Sequence, residues 1–338
     1  MSAGQSIPDE PHPARAAELS VDRPLPMAPA VRLLQQQADT FVRAAKAPST
    51  LRAYRSDWEH FSRWCEQHTL CPLPASPQTV ALYLAALAAT HRPGTMTRRL
   101  TAITKAHQIA GHPSPATMQQ PAVSETLKGI RRTLGTAQQT KAPLLTADVK
   151  RMVKALPNNL AGRRDRALLL LGFAGGFRRS ELAALDIEDV LPTEDGLVVK
   201  LRRSKTDPEG KGRDVGIPYG STPSTCPVRS LGVWKAAAGI SEGALFRGVD
   251  RHGHLGVVRL HKDSVALVVK RAAEAAGLDP TQYAGHSLRA GLATQAYLNG
   301  AGELAIMRQT GHRSLAMVRR YIRDGSLFRD NPAGKLGL

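Results

Sequence analysis

Two short segments of alternating apolar residues, 196–202 and 214–217, interrupt a chain otherwise patterned at helical spacing. They flank a loop with Pro208, Gly210 and Gly212, which predicts one antiparallel hairpin. Elsewhere apolar residues recur at intervals of three and four, the spacing of a buried helical stripe. The pattern predicts a mainly α fold: an N-terminal helical bundle, then a mixed α/β unit with a small antiparallel sheet. No internal repeat, Walker motif or Rossmann fingerprint is present.

Residues 1–30 carry Pro8, Pro11, Pro13, Pro24, Pro26 and Pro29 without apolar periodicity, which predicts a disordered tail. A bundle is expected over 31–138. Its first helix runs from an N-cap at Ser49-Thr50 to Gln67, burying Leu51, Tyr54, Trp58, Phe61 and Trp64. Further helices are expected over 77–90, 95–110 and 123–134. Arg98, Arg99 and Lys105 lie off the apolar face of the third, and Lys128, Arg131 and Arg132 end the fourth. The polar stretch 135–143 contains a linker, assigned to 139–143. The second unit, 144–325, begins with a helix at Thr146 and Asp148, then a nearly all-apolar and hence buried helix over 163–176. Helices over 181–185, 260–277, 288–299, 303–309 and 315–323 follow, and residues 326–338 form a tail.

Charge narrows the function. The net formal charge is +18, and residues 31–143 carry fourteen basic against five acidic groups. Both units are basic, as expected for a polyanionic partner. Six bundle cations are candidate phosphate contacts: Arg98, Arg99, Lys105, Lys128, Arg131 and Arg132. Three cysteines, Cys65, Cys71 and Cys226, supply neither a disulfide framework nor zinc spacing. The longest uncharged apolar run, 167–177, is too short to span a membrane, and the N-terminus lacks a secretory pattern. These features fit the cytoplasm.

One set of side chains is suited to attack a phosphodiester without a metal: Arg178, Lys205, His286, Arg289, His312 and Tyr321. A free phenol has a pKa of about 10, so Tyr321 needs a cationic site and a base nearby. Arg178 and Arg289 offer planar forks to phosphate oxygens, and a lysine at the hairpin tip can protonate a leaving oxygen. The residues alone leave rivals open. Arg179 adjoins Arg178; Lys200 and Lys211 compete with Lys205; Tyr54, Tyr283 and Tyr297 are other phenols. His252 and His254 share a Gly-rich loop with no third metal ligand, the mark of an ordinary turn.

In order and spacing these motifs resemble the tyrosine recombinases of the phage-integrase family. The Gly-hydrophobic-Arg-x-Ser-Glu-Leu segment matches 176–182, the hairpin lysine matches Lys205 in Ser204-Lys205-Thr206, and the His-x-x-Arg box matches His286 and Arg289. A Gly-His pair nine residues before the nucleophile matches Gly311-His312 and Tyr321. Glu181 matches the acidic residue three after the first arginine, expected to orient it.

The resemblance implies a site-specific recombinase in which bundle and catalytic domain clamp duplex DNA. Tyr321 would form a 3′-phosphotyrosine, Arg178, Arg289 and His312 would stabilise the transition state, His286 would assist proton movement, and Lys205 would act as acid. No metal, other cofactor or nucleotide is needed, because the phosphotyrosine conserves the bond energy. Four protomers are expected to act on two DNA sites through a four-way junction, in integration, excision or resolution. Tyr321 lies seventeen residues from the end, and the tail carries Leu327, Phe328, Leu336 and Leu338. It is expected to dock on a neighbouring protomer, with docking on its own domain as the alternative. A DNA-binding protein without catalysis, or a topoisomerase of type IB, are the competing functions. A metal-dependent transposase is disfavoured by the lack of a carboxylate triad.

Overall fold

The computed structural model describes residues 45–323 except 138, 139, 203, 205, 206 and 208, together with Ala333 and Leu336. The Pro-rich segment over 1–30, Lys205 and almost all of the tail over 326–338 lie outside the described residues. Two compact units meet in sequence between Thr136 and Ala137.

The first unit holds four described helices: α1 (Pro48–Gln67), α2 (Pro77–Ala88), α3 (Pro93–Ile109) and α4 (Pro121–Leu134). Each begins at a proline, whose missing N–H and fixed φ suit the first helical position. That corrects the expected start of α1: its N-cap is Ala47, with no side-chain hydrogen bond, so Ser49 and Thr50 lie inside the helix. Ser76 does cap α2, accepting from the Thr79 amide at 3.0 Å. Phe61, Tyr83, Leu84, Met96, Ile103 and Leu127 fill the core. Trp58 and Trp64 pack on its edge, while Leu51, expected inside, is exposed.

Arg99 departs most from expectation, being only 7% exposed. Its Nη1 donates to the Tyr83 hydroxyl at 2.6 Å and to His60 Nδ1 at 2.7 Å, and Nη2 donates to His91 Nε2 at 3.1 Å. Its Nε lies 3.6 Å from buried Asp57, which also takes the Arg98 fork at 2.7 and 2.9 Å. The guanidinium is therefore spent inside the bundle, which corrects its assignment as a phosphate contact. The stripe of α3 carries Arg99 inward because three side-chain acceptors take its Nη donors and a buried carboxylate balances its charge.

The second unit begins with α5 (Thr146–Ala155), α6 (Leu160–Gly175) and α7 (Arg179–Ala184). Strands β1 (Val190–Thr193), β2 (Gly196–Leu201) and β3 (Arg213–Pro218) form one antiparallel sheet in sequence order. Helix α8 (Pro227–Ala238) and a second antiparallel pair, β4 (Arg247–Val249) and β5 (Leu255–Arg259), come next. The chain then runs through α9 (Lys262–Ala275), α10 (Gly285–Leu298), α11 (Glu303–Thr310) and α12 (Leu315–Arg323). Leu168 to Leu171 are all buried, and α6 packs on α8 and α10 at the centre of the core. The sequence patterns anticipated the β2–β3 hairpin but not β1, α8 or β4–β5.

Two close approaches set the active end of this unit. A Cβ on Gly291 would lie 1.9 Å from the Leu144 carbonyl oxygen, so α10 rests directly on the extended chain entering the unit. The Leu144 amide donates to the Ser287 carbonyl at 3.1 Å beside it. Gly176 ends α6 in the left-handed conformation, φ 58°, and turns the chain sharply into α7.

The Arg99 network yields a stability prediction. Burial and the Arg99 charge hold His60 and His91 below the usual histidine range. Neutral rings are favoured in the folded state, so this contribution is present above about pH 6.5 and fades as pH falls below it. Arg99→Met should cost about 1–3 kcal/mol in urea unfolding at pH 7.5, whereas exposed Arg132→Ala should change it by less than about 0.5 kcal/mol. Unchanged stability in Arg99→Met would show that the buried network contributes nothing.

Candidate active site

Arg178 is the N-cap of α7. Glu181, in the first turn, accepts from the Arg178 amide through Oε2 at 2.9 Å and pairs with its Nη1 through Oε1. The Glu181 side chain is 2% exposed, so a buried carboxylate fixes the arginine from two directions. Neighbouring Arg179 instead reaches Asp263 at 2.9 Å on α9.

His286 and Arg289 occupy the first turn of α10, where a three-residue step puts them on one face. Arg289 is 1% exposed. Its Nη1 donates to the Gly176 carbonyl at 2.8 Å and also to the Thr310 carbonyl, joining the ends of α6 and α11. Its buried Nη2 has no partner among the described residues, a donor held in reserve. Burial, then the Arg178 charge, pulls the Arg289 pKa down to about 10.

Gly311 ends α11 in the left-handed conformation, and His312 follows it. The Thr310 hydroxyl donates to the Ile306 carbonyl at 2.6 Å and therefore accepts from His312 Nδ1 at 2.7 Å. Tyr321, on α12, lies between the two imidazoles, with ring centroids 5.6 Å from His286 and 5.3 Å from His312. Its hydroxyl is 2.6 Å from His286 Nε2. Thr294 donates to the Tyr321 carbonyl at 2.9 Å, anchoring α12 to α10.

The structure thus gathers Arg178, Glu181, His286, Arg289, His312 and Tyr321. Of the rival lysines, Lys211 turns to Glu209 at 3.2 Å and Lys200 is exposed on β2. Tyr283 packs on the catalytic core, Tyr297 on the small core of α10–α12, and Tyr54 belongs to the other unit. Asp250 accepts from the His252 and His254 amides, making the ordinary turn expected there. No group of three metal-ligating side chains occurs among the described residues.

Sequence reasoning missed Arg213. At the start of β3, it donates to the Gln309 carbonyl at 2.9 Å and the Thr310 carbonyl at 3.2 Å. Nothing in its sequence context distinguishes it from an exposed strand arginine; only the fold brings it to α11. Among the bundle cations, Lys105 pairs with Gln108, Lys128 with Glu125 and Arg131 with Thr97, all on exposed positions, and Arg132 is exposed.

Electrostatics fix the protonation of the site. Burial, then Arg289 and Arg178, pushes the His312 pKa down to about 3. Desolvation and the same two arginines lower His286, although much of that residue is accessible. Both rings are therefore neutral at pH 7, and the Tyr321 hydroxyl donates to His286 Nε2. In an NMR titration of the free protein both histidines should titrate below the ordinary value of about 6.5, His312 far below it. A midpoint above that value for either ring would contradict the cationic field described here.

Residues 143–326 match the family model described as "Phage integrase family". An integrase/recombinase XerD homolog of Selenomonas ruminantium is 40% identical over 307 residues, covering 90% of this chain and 89% of that protein. Tyrosine recombinase XerC of Myxococcus xanthus is 27% identical over 294 residues, covering 81% and 87%. Similar solved folds include the Tn1549 transposon integrase with transposon right end DNA, at TM-score 0.58, 16% identity and coverage of 90% and 99%. XerH recombinase bound to its palindromic difH substrate aligns at TM-score 0.57 and 18% identity, covering 77% and 72%. The extent of the family match, with a relative 40% identical along nine-tenths of its length, makes this chain a member of the phage integrase family of tyrosine recombinases.

Proposed function

We propose that this protein is a site-specific recombinase that cuts and rejoins double-stranded DNA with Tyr321 as nucleophile. The contact carrying the reading is the 2.6 Å hydrogen bond from the Tyr321 hydroxyl to a neutral His286. A phenol paired with an unprotonated imidazole, beside buried guanidinium groups, has a base for its proton and a site for the phosphate it attacks.

The Tyr321 oxygen bonds to phosphorus as its proton passes to His286 Nε2, and the bond to the 5′ oxygen breaks. The products are a 3′-phosphotyrosine and a 5′-hydroxyl, with Lys205 giving the leaving oxygen its proton. A 5′-hydroxyl from the partner strand reverses the step, so no metal or nucleotide enters. Arg178 and the unpartnered Nη2 of Arg289 hold the non-bridging oxygens. Glu181 keeps Arg178 in place. His312 already donates through Nδ1 to Thr310, so its Nε2 has a proton to give only when the ring is doubly protonated. The negative phosphate favours that state, and His312 takes up a proton as DNA binds.

Arg98, Lys105, Lys128, Arg131 and Arg132 supply backbone contacts from the bundle; Arg99 does not. Four protomers act on two sites in the cytoplasm, and the tail after Asp324 docks on a neighbour to couple assembly to Tyr321. No helix among the described residues is long and apolar enough to cross a membrane.

Covalent capture tests the chemistry. Nicked duplexes with randomised arms should yield a protein–DNA adduct in excess EDTA without nucleotide. Tyr321→Phe removes one oxygen and should abolish the adduct while leaving DNA binding intact. An adduct in the phenylalanine variant, or activity restored only by magnesium, would refute the mechanism.

A further inference from the structure

We infer that Arg213 is a positioning residue of the active site: its guanidinium fixes the end of α11 and thereby sets the His312 ring and the Arg289 guanidinium. The inference rests on the active-site reading above, and its observations converge on Thr310. The Thr310 carbonyl accepts from both Arg289 and Arg213, and its hydroxyl accepts from His312. One residue thus connects two groups proposed to touch the phosphate, and Arg213 holds that residue from outside.

The contact is built from both sides. Arg213 bonds the carbonyls of Gln309 and Thr310, two of the four that a helix leaves open at its C-terminus. Gln309 reaches back, donating to the Gly216 carbonyl on the same strand and to the Ala174 carbonyl at the end of α6, each at 3.1 Å. Strand β3 therefore grips α11 through two side chains. The Gly311 turn is shaped to the arginine as well: a Cβ there would lie 2.6 Å from Arg213 Nε. The glycine before His312 supplies both its left-handed φ of 67° and the space in which Arg213 lies.

A cation is a costly choice for a merely structural cap. Arg213 is half-buried, its charge opposed by desolvation, supported by Glu181 and opposed by Arg178, and its Nε is buried without a partner among the described residues. A neutral donor would satisfy the same carbonyls without the cost of desolvating a charge. A cation is favoured once a phosphate occupies the pocket, where every nearby positive charge gains.

Arg213→Met removes the donors and keeps the stem; Arg213→Lys keeps the charge and loses the fork. On the captured duplex, single-turnover adduct formation should fall roughly 10²-fold in Arg213→Met, the scale of a small misplacement of reacting groups. DNA affinity should hold, and Arg213→Lys should recover part of the rate. Combining Arg213→Met with His312→Ala should cost clearly less than the product of the two single losses, because part of the Arg213 effect runs through the His312 ring. A 5′-bridging sulfur, which needs no proton to leave, should not restore the rate. Without DNA, amide exchange at Gly311 and His312, both bonded to the Met307 carbonyl, should quicken in Arg213→Met and remain slow in Arg213→Lys.

Multiplying losses in the double variant, rescue by the bridging sulfur, or weakened DNA binding with an unchanged chemical step would each overturn the inference. Unchanged exchange at Gly311 and His312 would overturn it without reference to catalysis. Absence of any adduct from the unaltered protein would instead refute the recombinase reading, while the exchange experiment still decides whether Arg213 holds the turn. Should Arg213→Met fail to fold, Arg213→Lys alone decides: a wild-type rate with faster exchange would count against the inference.

Discussion

A guanidinium with 1% exposure, bonded to two backbone carbonyls among the described residues, organises the catalytic unit. Arg289 joins the end of α6 to the end of α11, a junction that Gln309 of α11 supports by donating to the Ala174 carbonyl. Burying a cation without a carboxylate on it is unfavourable, and its lowered pKa reports that tension. Carbonyls at helix C-termini offset part of the cost, because the helix dipole is negative there. The remainder is offset when an anion arrives. A site built this way holds its donors oriented before the substrate enters.

Other features of the site follow from that concentration of positive charge. Glu181 must be buried against Arg178, since an unpaired second arginine would be repelled. Burial, then the same field, keeps His286 and His312 neutral in the free protein, so His286 is an acceptor toward Tyr321. The proposed role of His312 is the opposite one: its free nitrogen becomes a donor only after a negative charge has entered. In the proposed mechanism, base and phosphate donor thus come from one residue type, separated by which ring nitrogen the protein already occupies. The bundle solves a different problem with similar parts, spending Arg99 on Asp57, Tyr83 and two histidines to close its core.

Much of this was legible in the chain. Long one-sided stripes announced α1 to α4, a nearly all-apolar run announced α6, and ordered motifs picked out Arg178, His286, Arg289, His312 and Tyr321. The failures have physical causes. Strands β4 and β5 bury neither face, and β1 has a single buried residue, so no alternation marked them. Helix α8 is buried around Trp234, whose indole donates to the Leu245 carbonyl at 2.9 Å. Its start at Pro227 and its stop at Gly239 were signals that a periodicity search passed over. Arg99 and Arg213 were unreadable for another reason. Whether an arginine faces water or carbonyls depends on acceptors 42 residues away in one case, at Asp57, and 96 in the other, at Gln309.

The central claim is that Arg289 faces the scissile phosphate with a donor it withholds from the protein. Replacing one non-bridging oxygen of that phosphate by a methyl group removes the charge the guanidinium is there to meet. Arg289→Met should lose about 10²–10³ in single-turnover cleavage of the phosphodiester and regain much of it on the neutral methylphosphonate of the same sequence. Equal loss on both substrates would mean that Arg289 only holds the protein together, and would contradict the account.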